Sequence, residues 1–163
     1  MRIREIDPSS EAEIEIVAAR MRLTLMEVID PVRGDAMYTL DWLRDRVRFH
    51  LDPSRQAAVY VAEADDGRIV GHTIVRTQVE EDAELGLFST TYVVPEARRA
   101  GVAQMLLQRG EDWMLGVGMS RAATYTSNTN DKLIHLYESR GYAIDLRSVE
   151  MVRLSRAFGV EGR

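Results

Sequence analysis

The strongest constraint on the fold is a change of hydrophobic period at about residue 57 of the chain. Apolar residues recur at helical spacing before this point, whereas Ala57 to Ala64 and Arg68 to Gln78 are apolar and β-branched runs typical of strands. Asp65-Asp66-Gly67 joins the two runs, and its glycine supplies the positive φ that a tight hairpin turn requires. The chain is therefore predicted to combine an antiparallel sheet with helices.

The part of the chain before this hairpin predicts a short strand and two helices. Arg2 to Ile6 alternates like a strand, and Ser10 with Glu13 forms a capping-box signature for the first helix. The apolar positions of that helix are Ile14, Val17, Met21, Leu25 and Val28. Asp30-Pro31 is expected to end it, and a loop with Gly34 follows. A second helix is predicted to end at Asp52-Pro53 and carries Trp42, Leu43, Val47 and Leu51.

The part after the hairpin predicts a strand and a helix, a second strand and helix, and two final strands, all in one domain. A turn over Glu80 to Glu84 leads into a strand from Leu87 to Val94. The later elements are a helix to Leu115, a strand over Arg121 to Ser127, a helix over Asn130 to Arg140 and two strands within Tyr142 to Leu154. The order β-α-α-β-β-β-α-β-α-β-β predicts a single α/β domain over residues 1–163.

Composition and charge exclude several classes of protein. The net charge of −5 argues against a general nucleic-acid binder, which must neutralise many phosphates. The chain has no cysteine, and its three histidines lack metal-motif spacing, so no metal is expected. With no long apolar run and a charged start, we expect a soluble cytoplasmic protein that does not enter a membrane.

The sequence VVPEARRAGVAQMLL, residues 93–107, leaves a strand through a proline and enters a helix at once. A helix N-terminus exposes unpaired N–H groups and the positive end of its dipole, so it attracts anions. Gly101 allows close approach of a ligand to the backbone, and Arg98 and Arg99 add positive charge. The alternative is an ordinary strand-to-helix connection with solvated arginines.

The spacing Arg98-x-x-Gly101-x-Ala103 resembles the pyrophosphate loop of the GNAT superfamily of N-acetyltransferases, which use acyl-CoA. The sequence NDKLIHLYESRGY, residues 130–142, resembles the family's Asn-x-x-Ala-x-x-Leu-Tyr-x-x-x-Gly-Phe helix. The two motifs occur in the family's order and separation, and the resemblance covers about residues 57–154. The helices over about residues 9–51 match only in placement, on the side that selects the acceptor in this family.

The resemblance implies a single-domain GNAT-like α/β fold. Its central mixed, mostly antiparallel sheet would have about seven strands and four helices, and would splay apart between strands 4 and 5. The arm of the acyl-CoA would pair with the open edge of strand 4, which a peptide-like ligand can complete. Tyr92, Val93 and Val94 would offer these backbone groups, and Asn130 would contact the arm from the other side.

The resemblance also implies the remaining contacts and roles. The pyrophosphate would lie on the N–H groups of Arg99, Ala100, Gly101, Val102 and Ala103. Tyr137 would be the acid that protonates the leaving sulfur; the alternative is an aromatic side chain that packs on the sheet. Strand 4 lacks the carboxylate that family members often place there. The candidate bases are Glu84, acting through a water molecule, and His72. The alternative for His72 is a partly buried histidine with a structural role only.

The resulting hypothesis is an N-acetyltransferase that transfers an acetyl group from acetyl-CoA to a primary amine of a small molecule by direct attack. The acidic run from Glu80 to Glu84 either attracts a cationic amine or is a solvated turn. Two alternatives are a non-catalytic acyl-CoA-binding regulatory module and a protein or peptide N-terminal acetyltransferase. A homodimer is also allowed, through apolar residues of the first two helices or the last strands.

Overall fold

Seven strands form one mixed sheet in the computed structural model, which describes residues 1–28 and 39–159 apart from the side chains of 25–28. The strands are β1 (Arg2–Glu5), β2 (Ala57–Glu63), β3 (Ile69–Glu80), β4 (Ala83–Val93), β5 (Arg121–Ser127), β6 (Ala143–Arg147) and β7 (Met151–Ala157). Their spatial order is β1-β2-β3-β4-β5-β7-β6. Only β4 and β5 pair in parallel; the other five neighbouring pairs are antiparallel.

The described residues form four α-helices, two on each face of the sheet. They are α1 (Glu11–Val28), α2 (Leu40–Leu51), α3 (Val102–Gly116) and α4 (Asp131–Glu138). Helices α1 and α2 share one apolar cluster with β2 and β3, in which Val17, Leu43 and Ile74 are fully buried. Helices α3 and α4 share the other with Phe88 and Tyr137. The predicted fold class is confirmed.

The helix boundaries mostly follow the predicted signals. The Ser10 hydroxyl accepts the Glu13 N–H at 3.2 Å, but the Glu13 carboxylate bonds the Asp7 N–H and Arg4 rather than closing the capping box on Ser10. Helix α4 ends at Glu138, two residues earlier than predicted. The helix end predicted at Asp30-Pro31 and the loop with Gly34 lie outside the described residues.

The turn between β3 and β4 is shorter than the predicted turn over Glu80 to Glu84, and that prediction is wrong in length. Glu80 pairs with Ala83, so only Glu81 and Asp82 form the turn, with φ of 52° and 64°. Two successive left-handed residues match the right-handed twist of a hairpin, and Asp tolerates this conformation. Strand β4 therefore begins at Ala83 rather than at Leu87.

Strands β4 and β5 separate after a short parallel contact. Their register runs from Gly86↔Ala122 to Phe88↔Thr124, and the Thr124 hydroxyl donates to the Phe88 carbonyl at 3.1 Å. Beyond this point β4 bulges at Ser89 and stays paired with β3, whereas the end of β5 pairs with β7. The predicted splay between strands 4 and 5 is therefore present, and it opens one edge of β4. None of the helices described here is long and apolar enough to cross a membrane.

Candidate functional site

A cavity of about 180 Å³ lies where β4 and β5 separate. The end of β4 forms one wall, and the start of α4 forms the opposite wall. Its lining residues are Thr24, Thr91, Tyr92, Val93, Arg98, Ala103, Asn130, Lys132, Leu133 and Leu136. The cavity therefore brings together residues of both predicted motifs, which are about thirty positions apart in the chain.

The loop that enters α3 contains two left-handed residues beside the N-terminus of the helix. Arg99 and Gly101 are left-handed, with φ of 68° and 80°. Both residues lie just before the first turn of α3, whose N–H groups have no partner within the helix. Within the described part of the chain, the N–H groups from Arg99 to Gln104 have no hydrogen-bond acceptor. The predicted phosphate cradle is thus free to accept a ligand.

The N-terminus of α3 also differs from those of the other helices. Side chains of Ser10, Thr39 and Asn130 cap α1, α2 and α4, whereas Gly101 at the start of α3 offers no side-chain cap. Four orphan N–H groups are costly unless a partner satisfies them. Because Arg99 and Gly101 are exposed, a phosphate group can reach them. These features fit the phosphates of acetyl-CoA.

The open edge of β4 offers fewer groups than the resemblance implied. The Val94 N–H donates to the Val70 carbonyl at 2.9 Å, and the Val94 carbonyl accepts the Ala97 N–H at 3.0 Å. Since successive amides of a strand point to opposite edges, the Val93 N–H faces the splay. Val93 is therefore the member of the predicted set whose amide is placed to meet an extended ligand.

Arg98 is tied to the same edge. Its Nε donates to the Val93 carbonyl at 2.8 Å, and its guanidinium lies 5.5 Å from the centre of the Tyr92 ring. The side chain thus bridges the edge of β4 and the loop before α3.

Asn130 caps α4 as well as lining the cavity. Its Oδ1 accepts the Leu133 N–H at 3.3 Å, and its Nδ2 donates to the Thr126 hydroxyl at 3.1 Å. These two bonds fix the amide at the mouth of the splay, because Thr126 lies at the end of β5. The residue lies across the cavity from β4, and its contact with a ligand stays a prediction.

Tyr137 lies behind the cavity wall rather than on it. Its ring is 1% exposed and packs edge-on against Phe88 and Tyr142. Its hydroxyl is 3.5 Å from the hydroxyl of Thr91, which lines the cavity. Burial raises the pKa of Tyr137 well above its usual value, so the hydroxyl stays protonated at every working pH.

The two predicted base residues do not border this cavity. Glu84 is exposed near the start of β4, seven residues before Thr91, which corresponds to about 23 Å of extended strand. His72 is fully buried; its Nε2 is 2.8 Å from the Thr90 hydroxyl, and its Nδ1 has no partner among the described residues. Burial lowers the pKa of His72 to about 3, which makes it a weak base. No cluster of acidic or histidine side chains in the described residues is arranged to hold a metal.

Several cavity residues were missed by the sequence analysis. Thr91 is the most important of these, because its hydroxyl lies between those of Tyr137 and Thr73, at 3.5 and 2.8 Å. A threonine in a strand carries no local signal of function. The apolar wall of α4 was detectable, since Leu133 and Leu136 share the helical face that precedes Tyr137.

Comparison with known proteins agrees with this geometry. The sequence profile of the Acetyltransferase (GNAT) family matches residues 24–142. An aminoglycoside N(6')-acetyltransferase type 1 of Klebsiella aerogenes is 33% identical over 93 residues, which cover 55% of this chain and 61% of that protein. The chain thus matches about three-fifths of the length of this curated relative.

Solved structures share the fold at low sequence identity. A protein of Pyrococcus horikoshii OT3 superposes with a TM-score of 0.78 at 17% identity, covering 98% of this chain and 99% of that one. The PaiA N-acetyltransferase of Thermoplasma acidophilum, solved in complex with coenzyme A, superposes with a TM-score of 0.75 at 15% identity, covering 96% and 98%. At this low sequence identity, the two structures show that the fold is shared and nothing about activity or substrate.

Proposed function

The chain belongs to the Acetyltransferase (GNAT) family, and on this basis we propose that it transfers the acetyl group of acetyl-CoA to a primary amine of a small molecule by direct attack. The observation that carries the proposal is the cavity at the splay. It has uncapped amides of α3 on one side and Thr91, in contact with Tyr137, on the other. The similarity to an enzyme named for aminoglycosides supports a small-molecule amine as the acceptor.

Acetyl-CoA, which supplies an activated thioester, binds to three parts of the site in this proposal. These are the loop before α3, the open edge of β4 and the start of α4. The N–H groups from Arg99 to Ala103 donate to the phosphate oxygens, and the side chains of Arg98 and Arg99 neutralise part of the charge. The Val93 amide and Asn130 hold the extended arm from its two sides. Tyr92 contributes its ring to the wall.

Tyr137 is the proposed acid. Its hydroxyl proton passes to the Thr91 hydroxyl, which lines the cavity and gives its own proton to the sulfur that leaves as the new C–N bond forms. The Val93 N–H stabilises the carbonyl oxygen, and Tyr137 regains a proton from water after the thiol has left. The raised pKa of Tyr137 does not by itself oppose this transfer, because the same desolvation also raises the pKa of a buried thiol. Thr91 orients the hydroxyl toward the cavity.

No group in the cavity wall is suited to act as the base. Glu84 and His72 are both absent from the wall, and so is every other carboxylate among its described residues. We propose that the amine attacks in its neutral form and releases its proton to water. Glu84 would then act only on protons that have already left the cavity.

Thermal unfolding with and without acetyl-CoA tests the binding half of the proposal. Ligand at 100 times its dissociation constant should add about 2.7 kcal/mol to the free energy of unfolding. The double variant Arg99→Glu/Gly101→Glu should lose this gain, because two carboxylates would repel the phosphates. Arg68→Glu, in the exposed turn before β3, is the matched control and should keep it. Absence of a shift at millimolar acetyl-CoA would overturn the proposal.

Release of free thiol, measured across a panel of amines and peptides, tests the catalytic half. Turnover with free amines supports the proposal, and Glu84→Gln should leave it unchanged. Turnover with peptides alone would indicate a protein N-terminal acetyltransferase. Binding of acetyl-CoA with no turnover on any amine or peptide would indicate the regulatory module.

A further inference from the structure

A second cavity, of about 400 Å³, lies between the end of α2, the start of β2 and the end of β3. Its walls are lined by Arg46, Phe49, Ser54, Arg55, Gln56, Ala57, Arg76, Thr77 and Gln78. None of these residues lines the cavity at the splay. Three guanidinium groups therefore converge on a space that the proposed reaction does not use.

These three arginines lack the acidic partners that other arginines of the chain have. Arg44 and Arg48, on the same helix, each form ion pairs with two carboxylates. In residues 1–28 and 39–159, by contrast, no carboxylate oxygen lies within 4.0 Å of the Arg46, Arg55 or Arg76 guanidinium. Three arginines without a carboxylate partner thus line one cavity of a chain whose net charge is −5.

Neutral groups hold the three guanidinium groups in place. Those of Arg46 and Arg55 lie 4.3 and 3.5 Å from the centre of the Phe49 ring. Arg76 donates to the Gln78 Oε1 at 2.8 Å and lies 3.4 Å from the His50 Nε2. The buried His50 ring is fixed by a 2.8 Å contact between its Nδ1 and the Arg46 carbonyl. The arginines are thus oriented before any ligand arrives.

The nearest acidic groups are engaged elsewhere. Asp52, which interacts electrostatically with Arg55, accepts the Ser54 N–H and hydroxyl at 2.9 and 2.8 Å. Glu80, which acts on Arg76, accepts the Tyr125 hydroxyl at 2.8 Å and an Arg153 N–H at 2.9 Å. Neither carboxylate neutralises the cavity by direct contact.

We propose that this cavity binds a small multivalent oxyanion, of the phosphate or polycarboxylate type, between the guanidinium groups of Arg46, Arg55 and Arg76. Arginine forks match the oxygen pairs of such anions, and a partly enclosed site strengthens each charge-assisted hydrogen bond. The anion is either a free effector or an anionic group carried by the amine acceptor. Both sources use the same contacts.

A hydrogen-bond chain connects this cavity to the splay. Arg76 bonds Gln78, whose Nε2 donates to Glu80 at 2.5 Å, and Glu80 accepts the Tyr125 hydroxyl. Tyr125 follows Thr124, the last residue of β5 that pairs with β4. An anion that draws Arg76 away from Gln78 therefore perturbs the contacts of Gln78 and Glu80 beside the β3–β4 hairpin, and through Glu80 the Tyr125 hydroxyl.

Thermal unfolding at low ionic strength, with citrate and with pyrophosphate as probes, tests the proposal without any need for activity. The background is the Arg99→Glu/Gly101→Glu variant, so that the loop before α3 cannot bind the probe. Both probes should raise the unfolding midpoint. Arg55→Gln and Arg76→Gln should each weaken the apparent affinity about 10- to 100-fold, because each removes one charge-assisted contact.

Arg68→Gln removes one exposed positive charge away from the cavity and should leave the affinity unchanged. Arg55 is exposed in the loop before β2, so its variant remains informative if Arg76→Gln fails to fold. Equal weakening by Arg68→Gln, or no midpoint shift at tens of millimolar probe, would overturn the proposal. In initial-rate assays, inhibition competitive with the amine identifies an anionic group of the acceptor, and any other rate effect identifies an effector.

Discussion

At the scale of single residues, the chemistry of the site depends on hydroxyl groups that meet across the sheet. Thr91 on β4 contacts Thr73 on β3 at 2.8 Å and Tyr137 on α4 at 3.5 Å, while Thr73 donates to the Thr90 carbonyl at 3.3 Å. The Thr90 carbonyl anchors Thr73, which holds the Thr91 hydroxyl between Tyr137 and the cavity, as the proposed proton transfer requires. Tyr137 therefore keeps its proton until a better acceptor occupies the cavity.

Tyr137→Phe tests the role of that hydroxyl. We expect kcat to fall about 100- to 10,000-fold, the usual contribution of a general acid. KM for acetyl-CoA should change little, because Tyr137 does not line the cavity. The free energy of unfolding should change by less than about 1 kcal/mol, since the 3.5 Å contact is weak.

Steady-state kinetics and urea unfolding measure both effects. Tyr60→Phe, a buried tyrosine of β2 outside the cavity, is the matched control and should retain kcat. Unchanged turnover in Tyr137→Phe would leave Tyr137 as a packing residue only.

At the scale of elements, one buried carboxylate joins α3 to α4 and β7. Glu111 of α3 accepts the Tyr142 hydroxyl at 2.6 Å, pairs with Arg140 just after α4, and lies 3.3 Å from Arg156 of β7. The Tyr142 ring in turn packs edge-on against Tyr137, with ring centres 5.0 Å apart. The orientation of the proposed acid therefore depends on a contact outside the cavity.

Glu111→Leu should destabilise the fold by about 3–5 kcal/mol, because it leaves a largely buried arginine without its carboxylate. Urea unfolding measures the loss. Glu138→Gln, an exposed change on α4, is the control and should stay within about 0.5 kcal/mol of the parent protein. A loss below about 1 kcal/mol in Glu111→Leu would mean that apolar packing alone holds α3 against α4.

At the scale of the whole molecule, two buried histidines link stability to pH. Burial lowers the pKa of His50 to about 4 and that of His72 to about 3. The unfolded chain, with histidine pKa values of about 6.5, therefore binds more protons than the folded protein as the pH falls below neutrality. Their contribution is fully present above pH 6.5 and is lost toward acid.

We expect the free energy of unfolding to fall by about 1.4 kcal/mol per pH unit for each buried histidine, from pH 6.5 toward its folded pKa. Urea unfolding at pH 7, 6 and 5 measures the slope. His50→Gln should roughly halve it, whereas a variant of the exposed His135 should not change it. A stability that is constant from pH 7 to pH 5 would contradict the burial of both rings.

The exposed apolar side chains bear on whether whole molecules associate. The described residues expose large apolar side chains on α1 and at the last hairpin, including Leu23 at 53% and Val149 at 93%. These are the two regions where the sequence analysis allowed contacts between subunits. The homodimer stays a prediction.

Local signals in the sequence were sufficient for the order of the elements and for the glycine entry into α3. The boundaries of β5, the cap of α4 by Asn130 and the Gly101 entry into α3 depend on residues within a few positions of each other. Turn chemistry acts over the same range. The turn at Glu81 and Asp82 was predicted too long because their left-handed conformation is set by strand pairing on both sides.

Contacts between distant segments decided the rest. The burial of Tyr137 behind Thr91, the distance of Glu84 from the cavity and the convergence of three arginines beside Phe49 all join residues far apart in the chain. Periodicity reports which face of an element is apolar, but not which element covers that face or where two strands separate. The sequence by itself therefore determined the order of the elements and the glycine entry into α3. The tertiary structure alone decided which side chains meet, because packing and strand register are long-range properties of the folded chain.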